Sequence, residues 1–238
     1  FIKGNIALTK VDEDYPDNKL SGAVFEVYSD TNGDGKLDKD DTLLGEMKEL
    51  DGGVYQMSEL RYGKYLVKET KAPTGFVLDE DVYAVSIEEN GKTYTVENKA
   101  GVGFINAAQK GSLKIVKTSS DGKVEGFSFR VTGVDYDQTF KTDKNGEIVI
   151  EGLRIGDYTV SEVSDKASAG YILPADKQAT VKVNATAIVQ MHNEFRDTPK
   201  TGDDFNLGLW VSLAALSVVG AGVLGFVGYK NRKKKKED

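Results

Sequence analysis

Three kinds of side chain recur at matching places in this sequence and could do chemistry together. They are Lys10, Glu69 and Asn106 in the first half, and Lys117, Glu162 and Asn193 in the second. Each lies in phase with apolar neighbours: Ile6 and Leu8 with Lys10, Tyr65 and Val67 with Glu69, Phe104 with Asn106. The second half repeats this with Leu113 and Ile115, Tyr158 and Val160, and Val189 and Met191. Side chains on a strand alternate faces, so a strand reading turns all six polar groups toward a core. An unpaired charge is costly to bury, and desolvation lowers the pKa of an amine and raises that of an acid. A buried Lys and Glu therefore drift toward neutral amine and neutral acid. The amine is then a nucleophile, and a protonated carboxyl donating to a carboxamide oxygen makes the amide carbon electrophilic. Attack would join Lys to Asn with loss of ammonia. A hydrogen-bonded Lys, Glu and Asn network without covalent chemistry is the other reading. Asn98, in phase with Tyr94 and Val96, rivals Asn106, which is preferred because it directly precedes the second half.

The elements that must position these groups read as strands. Tyr, Val, Thr and Gly recur throughout the 238 residues, with turn dipeptides at short intervals, which predicts an all-β chain with room for two domains. The halves are copies of one module. Each opens with Gly and reaches Lys six residues later, Gly4 to Lys10 and Gly111 to Lys117. Each then has Gly-x-x-Phe, Gly22 to Phe25 and Gly126 to Phe129, and LRYGKYLVKE at 60–69 aligns with LRIGDYTVSE at 153–162. After Glu69 the chain reads TKAPTGF; after Glu162 it reads VSDKASAGY, two residues longer and without the Pro.

These motifs resemble the CnaB or SpaA-type domain of Gram-positive pilins and adhesins, a β-sandwich related to the immunoglobulin and prealbumin folds. The resemblance covers roughly residues 2–195 and implies tandem sandwiches at 1–108 and 109–195. It also implies isopeptide bonds Lys10–Asn106 and Lys117–Asn193, with Glu69 and Glu162 as the catalytic acids.

Beyond the second copy, Phe205–Tyr229 is uncharged and long enough to span a bilayer as a helix. Residues 230–238, KNRKKKKED, form a basic tail that belongs on the cytoplasmic side, which puts the body outside the cell. The linker 196–204 holds Thr198-Pro199-Lys200-Thr201-Gly202, which resembles the Leu-Pro-X-Thr-Gly motif read by sortases, with Thr198 where Leu is usual. That resemblance implies cleavage between Thr201 and Gly202 and covalent transfer of Thr201 to peptidoglycan, after a single-pass membrane precursor. The expected location is therefore extracellular, anchored to a Gram-positive cell wall. Leu173-Pro174-Ala175-Asp176 lacks the Thr-Gly and reads as a turn.

Residues 30–41, DTNGDGKLDKDD, have the spacing of an EF-hand loop. Asp30, Asn32, Asp34, Asp38 and Asp41 would offer side-chain oxygens and Lys36 its carbonyl to a structural Ca2+. Position twelve is Asp instead of the usual Glu, and the flanks are strand-like. An acidic hairpin turn is the alternative.

Composition excludes several classes. Cysteine is absent, so disulfides and thiol nucleophiles are not available. The net charge is -7 although six of the 31 Lys and Arg residues sit in the last nine positions, so the body is acidic and no nucleic-acid partner is expected. The single His192 lies out of phase with Val189, Met191 and Asn193 and should face solvent; no turnover enzyme is expected. The chain begins at Phe1 without Met or a signal peptide, as expected for the tail of a longer precursor. The sequence thus points to a stalk of an adhesin or of a minor, anchoring pilin. Domains that themselves bind a host or matrix ligand, or that anchor an upstream enzyme, are the rival readings.

Overall fold

A computed structural model describes residues 1–196. The sortase-like motif at 198–202, the apolar segment 205–229 and the basic tail 230–238 lie outside the described residues. Among the described residues every regular element is a strand, and no helix is long and apolar enough to cross a membrane. The chain divides between Lys110 and Gly111 into two compact units.

The first unit contains β1 (Lys3–Asp12), β2 (Val24–Ser29), β3 (Thr42–Glu46), β4 (Lys48–Glu49), β5 (Val54–Arg61), β6 (Gly63–Lys71), β7 (Val82–Ile87), β8 (Thr93–Thr95) and β9 (Phe104–Asn106). One sheet has the order β4-β5-β1-β8, with β9 also pairing β1, and the facing sheet has the order β3-β2-β6-β7. Between them lie Ile6, Leu8, Phe25, Val27, Tyr55, Val67, Ile87 and Phe104. The second unit contains β10 (Lys110–Ser119), β11 (Ser128–Gly133), β12 (Tyr136–Lys141), β13 (Glu147–Arg154), β14 (Gly156–Glu162), β15 (Tyr171–Ile172), β16 (Lys177–Val181) and β17 (Thr186–Phe195). Its sheets run β13-β10-β17-β15 and β12-β11-β14-β16, around Leu113, Ile115, Phe127, Phe129, Tyr158, Val160 and Met191.

The repeated motifs have physical causes. A Cβ on Gly4 would lie 2.8 Å from the Lys92 carbonyl oxygen, and one on Gly111 2.2 Å from that of Lys182, so each copy opens where only glycine fits. Gly22 and Gly126 both have φ +84°, a conformation that a side chain disfavours. In the Leu-Arg-x-Gly-x-Tyr segments the hydroxyls of Tyr65 and Tyr158 donate to the carbonyls of Arg61 and Arg154, at 2.6 and 2.8 Å. Each tie fixes the corner leading into the strand that carries the Glu.

The strand pairing that matters for the site is parallel. β1 runs beside β9 with Lys10 opposite Phe104, and β10 runs beside β17 with Lys117 opposite Met191. In both units the Asn lies two residues beyond the residue facing the Lys, so Lys and Asn are diagonal neighbours on one face of a parallel pair.

Candidate cross-linking sites

In the first unit Lys10, Glu69 and Asn106 meet inside the sandwich, Lys10 and Glu69 with no exposed surface. Lys10 Nζ donates to Asn106 Oδ1 and, at 3.1 Å, to the Phe104 carbonyl. It lies 3.7 Å from Glu69 Oε1 and 4.9 Å from the centre of the Phe104 ring. Asn106 Nδ2 donates to both Glu69 oxygens, at 3.1 and 2.9 Å. Burial pulls the Lys10 amine down to about 8, against the opposing pull of Glu69 and Asp79. Burial also holds the Glu69 carboxyl above its ordinary range.

The second unit repeats the arrangement with differences. Asn193 Nδ2 donates to Glu162 Oε1 at 2.7 Å. Lys117, nearly fully buried, turns its Nζ to the Thr118 carbonyl and sits 4.3 Å from the centre of the Phe127 ring. Burial lowers the Lys117 amine and raises the Glu162 carboxyl. Two buried atoms have no hydrogen-bond partner among the described residues, Glu162 Oε2 and Asn193 Oδ1. Both belong to the same acid and amide pair.

Chemically, each unit offers an amine depressed by burial and a carboxyl raised by burial at the amide nitrogen of an Asn; in the first unit the amine also contacts that carboxamide, whereas Lys117 is turned to the Thr118 carbonyl. That set can bind the amide, hold a proton at the leaving nitrogen and exclude water. Asn98 is placed elsewhere: its Nδ2 donates to Asp79 Oδ2 at 2.7 Å and to the Ile105 carbonyl at 2.9 Å, while its Oδ1 accepts from the Ile105 amide. Asn98 thus clips β9 into place. Sequence reasoning missed Asp79, whose backbone N–H donates to Glu69 Oε2 at 2.9 Å and whose carboxylate accepts from Tyr83. A backbone donor leaves no mark on residue type. His192 is exposed, between Thr118 Oγ1 at 2.8 Å and Glu194 Oε1 at 3.1 Å.

In the acidic loop, Asp30 is buried and accepts from the amides of Gly33 and Gly35, at 2.7 and 3.1 Å. Asn32 Nδ2 reaches Asp38 Oδ2 at 3.2 Å, and Asp41 accepts from the amides of Thr31 and Asp38. Asn32 and Asp34 each accept from an amide two residues on, the latter from Lys36. Among the described residues no three His, Cys, Asp or Glu side chains are grouped as a metal site.

A family model for the SpaA prealbumin-like fold domain matches residues 4–100 and again 111–195. The chain belongs to this family. Among solved structures, the Bacillus anthracis TIE protein is similar at 26% identity and a TM-score of 0.60, over 82% of this chain and 34% of its own. The chain thus spans about a third of the length of that protein. The minor pilin GBS52 of Streptococcus agalactiae shares 16% identity, with a TM-score of 0.37 over 84% of this chain and 100% of its own. The shaft pilin SpaA of Lactobacillus rhamnosus GG shares 14%, with a TM-score of 0.36 over 83% and 99%. No curated protein matches the chain. The two SpaA units are therefore the body of the described chain, and each carries its own Lys, Glu and Asn set.

Proposed function

We propose that the chain is the stalk region of a sortase-anchored surface protein of a Gram-positive bacterium, an adhesin or a minor, anchoring pilin. Each SpaA unit is locked by an isopeptide bond that it makes once, on itself. The observation that carries this reading is the shared geometry: in both units a parallel strand pair sets Lys two residues out of register with an Asn whose amide rests on a Glu, fully buried in the first unit and partly buried in the second. The neutral Nζ of Lys10 or Lys117 attacks Cγ of Asn106 or Asn193. A C–N bond forms, the old C–N bond breaks, and Glu69 or Glu162 moves the amine's proton to the leaving nitrogen, which departs as ammonia. The extracellular location is supported by the family and by the sorting signal. Sortase would cleave after Thr201 and pass it to an amine of the wall peptide.

The test is the intact mass of the purified chain. It should be lighter than the sequence mass by two molecules of ammonia, and Glu69→Ala and Glu162→Ala should each restore one. An unshifted mass refutes the bonds and leaves the fold standing.

The acidic loop carries a second proposal, a structural Ca2+. The loop's own amides favour it by ordering the carboxylates at EF-hand spacing, Gly33 and Gly35 donating to Asp30 and Thr31 and Asp38 donating to Asp41. Millimolar Ca2+ should raise the melting temperature of the first unit, and Asp30→Ala with Asp34→Ala should remove the response. A melting curve indifferent to both Ca2+ and chelator counts against the site.

A further inference from the structure

The two units differ in the ring that stands beside the lysine. Lys10 is opposite Phe104 on β9 and Lys117 is opposite Met191 on β17, so a phenylalanine and a methionine hold the same place in the two parallel pairs. On the facing sheets Phe25 is opposite Glu69 and Phe129 opposite Glu162, which makes Ala23 and Phe127, each two residues earlier, equivalent as well. In the first unit the ring therefore lies on the strand that carries the Asn; in the second it leads into β11 on the opposite sheet. The amines follow the rings. Lys10 Nζ lies 4.9 Å from the centre of Phe104 and donates to Asn106 Oδ1. Lys117 Nζ lies 4.3 Å from the centre of Phe127 and 6.0 Å from that of Tyr171, and it donates to the Thr118 carbonyl. The Phe127 and Tyr171 rings meet edge-on at 5.3 Å, and the Tyr171 hydroxyl donates to Asp121 Oδ2 at 2.6 Å. Asn193 Oδ1, the counterpart of the atom that Lys10 reaches, has no hydrogen-bond partner among the described residues.

Resting on the self-made isopeptide bond proposed above, we infer that Phe127 and Tyr171 form a resting site for the Lys117 amine, and that the second unit closes its bond more slowly than the first because Lys117 must leave this site to reach Asn193. Attack needs Nζ within about 3–3.5 Å of the amide carbon. The bond forms only from the molecules in which Nζ has left the rings, so the observed rate is reduced by that fraction. A ring face out of water attracts the amine while it keeps its proton, and the Thr118 carbonyl accepts from it in either state. An attraction of this size converts to about tenfold in the fraction. The carboxylates do not decide where the amine sits: Glu162 stands at Asn193 and Asp121 at Tyr171, one at each place, and both act on Lys117. The two rings stand at one place only. In the first unit Ala23 offers no ring at the position of Phe127, and Lys10 rests against the amide it attacks.

The test uses the full chain, synthesised cell-free into denaturant so that no bond has formed, then refolded by dilution and quenched at intervals. Cross-linked peptides after proteolysis report each bond separately. The Lys117–Asn193 bond should form about tenfold more slowly than Lys10–Asn106. Phe127→Leu keeps an apolar side chain without a ring, and should speed the second bond about tenfold while the first, in the same chain, keeps its rate. Damage to the core slows a bond that depends on the core, so acceleration is a result that a merely structural role for Phe127 does not give. A second bond slowed or unchanged in Phe127→Leu overturns the inference. Phe127→Ala combined with Met191→Phe returns the ring to the Asn strand at nearly constant volume and should bring the second bond to the rate of the first; a bond still slow there overturns it equally. If neither variant folds, the unaltered chain decides, and a second bond as fast as the first or faster overturns the resting site. Failure of both bonds to form overturns the isopeptide reading as well, a result distinct from two bonds that form at one rate.

Discussion

Lys10→Met is expected to leave the first unit folded but to lower its melting temperature by roughly 20–40 °C. Methionine fills the volume of the lysine without its charge, so no unpaired ammonium remains in the core, and Glu69 can stay protonated beside Asn106. What would be lost is the proposed closure of the loop from residue 10 to residue 106. Loop-entropy reasoning for a cross-link of that length gives about 4–5 kcal/mol. In a domain of about 100 residues each kcal/mol moves the melting temperature by roughly 4–8 °C. That loss is comparable with the whole stability of a marginal domain, about 5–15 kcal/mol. The mass should rise by one retained ammonia, apart from the substitution itself. A retained ammonia with a melting temperature unchanged within a few degrees would show that the cross-link contributes nothing to equilibrium stability.

Phe104→Ala should be nearly as damaging by a different route. Phe104 is fully buried, edge-on to Phe25 at 4.9 Å and to Tyr83 at 5.1 Å, and its ring and carbonyl both face the Lys10 ammonium. Truncating a buried Phe to Ala costs about 3–5 kcal/mol through lost burial and the cavity left behind. β9 is only three residues long, so Phe104 is the main apolar anchor of the strand that carries Asn106. Denaturant titration should show the stability loss, and the fraction of chain cross-linked at the first site should fall with it. Phe104→Leu should cost less and restore most of the cross-linking. If Phe104→Ala cross-links as fast as the unaltered chain, the β1 pairing and the Asn98 clip suffice to hold β9.

Strand phase was the most legible feature of the sequence. Ile6, Leu8 and Lys10 share a buried face as alternation requires, and so do Val189, Met191 and Asn193, because a long strand in a two-layer sandwich has one side in the core. The tandem repeat was legible because the same features recur, an opening glycine crowded by a backbone carbonyl and, at a later corner, a tyrosine tied back to the chain. The choice between Asn98 and Asn106 was open in sequence, since both follow apolar residues at strand spacing. The structure separates them through the turn at Lys99–Gly103, which returns the chain beside β1 and makes Asn98 the clip. Asp79 was invisible because its contribution to Glu69 is a backbone N–H.

The parallel pairing of β10 with β17 has a mechanical consequence. Ser112 lies opposite Thr186 at one end of this ladder and Ser119 opposite Asn193 at the other. The chain therefore enters the unit at one end of the ladder and leaves at the opposite end. Tension on those two ends shears the pair, loading its hydrogen bonds together instead of peeling them one at a time. With the proposed Lys117–Asn193 bond in place, the force would run along β10 to Lys117, cross the covalent bond and exit through Glu194 and Phe195. Everything folded between those two residues would then carry no load, and the unit would act as an inextensible link whose core could not be pulled out.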